Sequence, residues 1–91
     1  MRYALVFTEH YIKRAARFLR WHPELEQQYL KALKLLEADP FHPSLRIHKL
    51  SGRLDGLHSV SINLSYRITL ELLVKECEIV PVNVGDHDTV Y

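Results

Sequence analysis

Three residues of this chain are best suited to move a proton or hold an anion: His48, Arg67 and His87. Imidazole exchanges protons near neutral pH, which makes it the natural general acid or base. A fixed guanidinium can hold a phosphate through two hydrogen bonds and stabilise charge that builds on it. Each has a plainer reading. Arg67 sits in an alternating run and could pair across strands with Glu71 or Glu78. Each histidine could be an exposed side chain of no chemical consequence. Lys49 and Arg53 bracket Ser51-Gly52, an expected turn, where they either position phosphates or meet water. Tyr91 ends the sequence shortly after His87, so an imidazole and a phenol stand just past the apolar run Ile79 to Val84.

Other chemistries fit poorly. Asp86-His87-Asp88 offers two carboxylates and an imidazole, but neighbours in sequence rarely converge on one ion, and no second cluster completes a shell. Cys77 lies between glutamates that disfavour its thiolate. The 3 glycines cannot build a phosphate-cradling loop. A single cysteine excludes an internal disulfide and fits a reducing, cytoplasmic setting. No run approaches the ~18 apolar residues of a membrane span, and residues 1–7 lack the features of a signal peptide.

The elements that must position these groups can be read from periodicity. The 91 residues, 47% hydrophobic and 25% charged, suggest one globular domain, 1–91. The net charge of +1 is split unevenly: residues 1–53 hold ten of the 12 Lys+Arg and five of the 11 Asp+Glu. That basic half suits a polyanion or an acidic protein, or is simply a solvated helix surface. RYALVF reads as a strand. Thr8 can N-cap a helix in which Ile12, Ala15, Ala16 and Leu19 form the apolar stripe. Pro23 opens a second helix, with Leu25, Tyr29, Leu33 and Leu36 inward, and Asp39-Pro40 ends it. From Leu45 the period becomes two. HSVSINL puts Val60, Ile62 and Leu64 on one side and Ser59, Ser61 and Asn63 on the other; YRITLELL and ECEIVPVNV follow. Pro81 in the last run implies an edge or a bulge. His58 shares parity with Val60 and reads as structural.

The expectation is an α+β fold, β-α-α followed by about three antiparallel strands, with both helices on the sheet's apolar face. The opposite face is then open and polar. Arg67, Ser61, Asn63 and Thr69 point into it, a surface suited to something anionic and wet.

Three stretches, VFTEHYIKRAARFL, ADPFHPSLRIHKLSGRLDGLHSVSINLSYRI and VGDHDTVY, resemble the RelE/ParE superfamily of type II toxin–antitoxin toxins, and the RelE- and YafQ-like mRNA interferases most. The most specific parts are HKLSGRLDGLHS, the YRI strand and GDHDTVY. The resemblance implies a small endoribonuclease that needs no metal or other cofactor. Such an enzyme cuts mRNA, typically in the ribosomal A site, and is neutralised by a cognate antitoxin protein. The RNA 2′-hydroxyl attacks the adjacent phosphate. His48 falls where the family places a catalytic histidine or glutamate, Arg67 matches the YRI arginine, His87 the C-terminal histidine and Tyr91 the terminal aromatic. The resemblance makes His48 the base and His87 the acid, with the reverse left open. It makes Tyr91 a base-stacking or phosphate-binding group, and Lys49 and Arg53 grips on flanking phosphates.

Many YafQ-like toxins carry a second histidine and an aspartate where this chain has Ser61 and Ser65. Two other readings therefore stand beside the interferase: a ParE-like inhibitor of DNA gyrase, and a weakened toxin kept as an antitoxin-binding protein.

Overall fold

A computed structural model describes residues 2–86; His87 and Tyr91 lie outside them. In chain order the elements are β1 (Ala4–Leu5), α1 (Glu9–Trp21), α2 (Glu26–Ala38), β2 (His48–Lys49), β3 (His58–Ser61), β4 (Tyr66–Leu73) and β5 (Glu78–Asp86). Short 3-10 turns at Pro23–Leu25, Pro43–Leu45 and Gly52–Leu54 punctuate them.

The strands form one sheet in the order β1-β5-β4-β3-β2. Strands β3 to β5 form the antiparallel run that alternation implies, the two-residue β2 adds a fourth strand beside β3, and β1 lies parallel to β5. A parallel neighbour needs a long connection, and here both helices and β2 to β4 lie between the two strands. Pro81 marks the irregularity expected of it. Between Thr69↔Asn83 and Leu70↔Pro81 the register slips, leaving Val82 as the extra residue of a bulge. Proline also limits β1. Val6 N–H donates to the Ile79 carbonyl at 2.9 Å, and the next donor from β5 would be Pro81, which has none.

Both helices bury their stripes in one core with Val60, Ile68, Leu70, Ile79 and Val84. Burying each such side chain contributes about 1.5–3 kcal/mol. Thr8 caps α1 as expected, its Oγ1 accepting from Tyr11 N–H at 3.1 Å. The α1 stripe is displaced from the sequence reading. Tyr11, Ala15 and Phe18 are buried, while Ile12 is 55% exposed and Ala16 faces water. The cause is the Tyr11–Tyr29 pair, whose hydroxyls meet at 2.8 Å inside the core. A buried phenol with a partner keeps its large apolar ring inside. Burial pushes the Tyr11 phenol far above its ordinary range and raises that of Tyr29. In α2, Ala32 is buried and Leu33 only partly so, while Leu25, Tyr29 and Leu36 are inward as read.

The β3 run is shorter than its alternation implies. It stops at Ser61, and Leu64 stands 86% exposed at the hairpin tip. Asn63 ends the strand. Its Oδ1 accepts from Ser65 N–H at 2.8 Å and from Tyr66 N–H at 3.0 Å, and its Nδ2 donates to Gln28 Oε1 at 2.8 Å. An asparagine side chain that captures backbone donors competes with the ladder and makes a turn.

Candidate active site

β2 and β3 set His48 beside Ser59, and β3 and β4 set Ser61 beside Arg67, so these side chains share the face opposite the helices. Arg67 Nε donates to Ser59 Oγ at 2.7 Å. Its Nη2 lies 3.4 Å from His48 Nδ1 and 3.5 Å from the Arg46 carbonyl oxygen, which is itself 3.4 Å from His48 Nδ1. The short Nε bond fixes the guanidinium plane; the three longer contacts place the imidazole against its edge.

Charge and hydrogen count decide how those long contacts are shared. Arg67 can only donate. If Nδ1 of His48 carries its proton, both Nδ1–H and Nη2–H point at the two lone pairs of one carbonyl, and Nε2 is the basic nitrogen. If Nδ1 accepts from Arg67 instead, the proton sits on Nε2. The Arg46 carbonyl is the acceptor that the first tautomer requires. Arg46 presents it by adopting a left-handed conformation, φ 49° and ψ 48°, at the end of the Pro43–Leu45 turn. That conformation costs a non-glycine residue about 1–2 kcal/mol.

The cross-strand ion pair is not formed: among the described residues Arg67 makes no salt bridge with a carboxylate. The face is also less open than alternation implies. Ser59, Ser61 and Thr69 are 0%, 8% and 2% exposed, because the larger Arg67 and His48 side chains lie over the small hydroxyl residues. Thr69, the cross-strand partner of Ser59, leaves Oγ1 buried with no hydrogen-bond partner among the described residues.

The remaining sequence-based candidates scatter. Lys49 follows His48 in β2 and so projects to the other face, opposite His58. There it helps burial push the His58 imidazole below its ordinary range; burial contributes most, then Lys49, then His48. Arg53 stands exposed on the Gly52–Leu54 turn. Ser61 faces Arg67 across the ladder and, with Asn63, lines a cavity of about 230 Å³ against α2. Asn63 is committed to its turn. His87 and Tyr91 lie outside the described residues. Among those residues no three His, Cys, Asp or Glu side chains gather closely enough to hold a metal ion, and no helix is long and apolar enough to cross a membrane.

Two participants escaped the sequence reading. Ser59 was legible by parity as a neighbour of the Arg67 face, but nothing distinguished it from Ser61. The Arg46 carbonyl left no trace, since a left-handed arginine has no local signature.

This architecture is the fold of the RelE- and YafQ-like toxins. YafQ in the E. coli DinJ-YafQ toxin-antitoxin complex superposes with a TM-score of 0.77 over 100% of this chain and 99% of its own, at 13% identity. The YoeB/ParE toxin from Agrobacterium tumefaciens gives 0.74 over 92% and 98%, at 15% identity. The YoeB-YefM complex from Staphylococcus aureus gives 0.70 over 96% and 99%, at 17% identity. No protein-family profile matches the sequence, and no curated protein matches it. The likeness is therefore one of fold, held by packing and topology at low identity.

Proposed function

We propose that this chain is the toxin of a type II toxin–antitoxin pair and a metal-independent endoribonuclease. It cuts mRNA in the ribosomal A site, in the cytoplasm, and is silenced by a cognate antitoxin protein. The observation that carries the reading is the meeting of His48 and Arg67, 19 residues apart, around the Arg46 carbonyl and Ser59. The fold neighbours support it, since those named above are toxins or toxin complexes.

The chemistry follows from the donors. Arg67 holds the non-bridging phosphate oxygens and stabilises the charge that builds on them. His48, its Nδ1–H on the Arg46 carbonyl, takes the 2′-hydroxyl proton at Nε2. The 2′-oxygen bonds to phosphorus, the bond from phosphorus to the 5′-oxygen breaks, and His87 protonates that oxygen. The products are a 2′,3′-cyclic phosphate and a 5′-hydroxyl. Exchanging the two histidines exchanges base and acid and leaves the products unchanged.

Primer extension on a translated message, with purified protein added, tests this. New 5′ ends are expected with the wild-type chain and are lost in Arg67→Ala. Intact message together with a gyrase-dependent DNA-damage response would replace the nuclease with the gyrase reading. Full cleavage by Arg67→Ala would remove that residue from the mechanism.

A further inference from the structure

α1 packs against β5 and leaves between them a cavity of about 460 Å³, within the roughly 300–1,000 Å³ of small-ligand clefts. Its lining is of two kinds. Arg14 and Arg17 supply cations, and Trp21, His22 and Tyr66 supply flat rings. The rings are already ordered: the His22 centroid lies 4.9 Å from that of Tyr66 and 5.0 Å from that of Phe18. Trp21, the last residue of α1, is 74% exposed, more than any other aromatic side chain among the described residues. An indole left in water at the rim of a cleft forgoes burial that such a side chain ordinarily gains. Neither Arg14 nor Arg17 has a carboxylate at ion-pair distance among the described residues; the salt bridge of α1 is Lys13–Glu9, at 3.6 Å.

The position of the cavity ties it to Arg67. Tyr66 and Arg67 are adjacent in an extended strand and project to opposite faces of the sheet. Their register partners on β5, Asp86 and Gly85, both line the cavity. The cavity and the His48–Arg67 site are thus the two sides of one strand end.

We propose that this cavity binds an unpaired nucleobase of the RNA strand whose phosphodiester lies at Arg67. The base stacks on Trp21 or Tyr66, and Arg14 and Arg17 hold the adjoining phosphate. This rests on the nuclease reading for the identity of the polymer. An acidic peptide would satisfy the arginines equally well. The exposed Trp21 indole at the rim, backed by the mutually packed His22 and Tyr66 rings, and continuity with Arg67 across the strand end favour a base. Every base has a π-face, so such a pocket tolerates many sequences.

Trp21 is the only tryptophan of the chain and therefore its own probe. A fluorescein-labelled single-stranded 2′-O-methyl RNA of about twelve nucleotides, a length within the site sizes of single-strand binders, lacks the attacking hydroxyl and cannot be cut. Titrating it into the wild-type chain is expected to quench Trp21 emission. Trp21→Ala, and the double change Arg14→Gln with Arg17→Gln, are each expected to raise Kd about tenfold, with Trp21→Phe close to wild type. Unchanged Kd in these variants with no quenching overturns the base pocket. So does retained RNA binding in variants that lose an acidic helical peptide. Message cleavage that persists beside Trp21-independent binding sinks the pocket and spares the nuclease. Trp21-dependent binding by a chain that cuts no message does the opposite.

Discussion

At the scale of single residues, the proposed reacting groups His48 and Arg67 are held by neighbours that do no chemistry themselves. Ser59 holds Arg67 by one short bond, and the Arg46 carbonyl lies within reach of both Arg67 Nη2 and His48 Nδ1. Ser59→Ala removes the acceptor and leaves a partly buried guanidinium N–H unpaired, at a cost of about 1–3 kcal/mol. It is expected to lower cleavage at saturating RNA about tenfold, equivalent to about 1.4 kcal/mol of barrier, and to lower the thermal midpoint by roughly 4–24 °C. Wild-type cleavage in that variant would show that Arg67 is aimed by something else. Arg46 gives a paired test, because its role is carried by the backbone. Arg46→Gly keeps the carbonyl and relieves the left-handed strain, so activity is expected to persist. Arg46→Val, with a β-branched side chain at positive φ, is expected to destabilise the fold by at least about 1–2 kcal/mol. Residue chemistry made His48 and Arg67 legible in the sequence, because imidazole and guanidinium have few uses in an alternating run. Ser59 and Arg46 act through a register partner and a backbone dihedral, and neither is written in residue type.

At the scale of elements, the helices, the antiparallel run and the proline bulge could all be read from spacing. The errors share a cause: a polar group with a specific partner overrode the apolar period. Tyr11 displaced Ile12 from the α1 stripe because its hydroxyl finds Tyr29 inside the core. Asn63 cut β3 short because its side chain captures the Ser65 and Tyr66 amides. Tyr11→Phe leaves the Tyr29 hydroxyl buried without its partner and is expected to cost about 1–3 kcal/mol in denaturant unfolding. Asn63→Ala releases the hairpin from its turn and from Gln28, and is expected to cost roughly 1 kcal/mol with RNA cleavage at saturating substrate preserved. Cleavage lost without any loss of stability would return Asn63 to the substrate side of the molecule.

At the scale of the whole molecule, one half-buried imidazole couples stability to acidity. His58 Nδ1 is buried without a hydrogen-bond partner among the described residues, and burial holds the imidazole pKa below the ordinary 6.5. The unfolded chain therefore takes up a proton at a pH where the folded one still resists, and stability falls as pH drops from about 7 through 6.5. His58→Gln is expected to flatten the thermal midpoint over that interval; an unchanged slope would assign the acid sensitivity elsewhere. The topology itself was recoverable only in part. Alternation implied neighbours in series and was right for β3 through β5; the two-residue β2 is too short to show a period, and the pairing of β1 with β5 joins the first and last described strands, which no local pattern encodes.

That pairing has a bearing on synthesis. A growing polypeptide is made from its amino end, and domains assemble as their parts emerge. β1 has no strand to lie against until β5, the last described strand, has been made, and β4 with Arg67 is framed on both sides only then. A chain still being translated therefore carries its first strand, both helices and His48 before the strand pair that frames Arg67 exists.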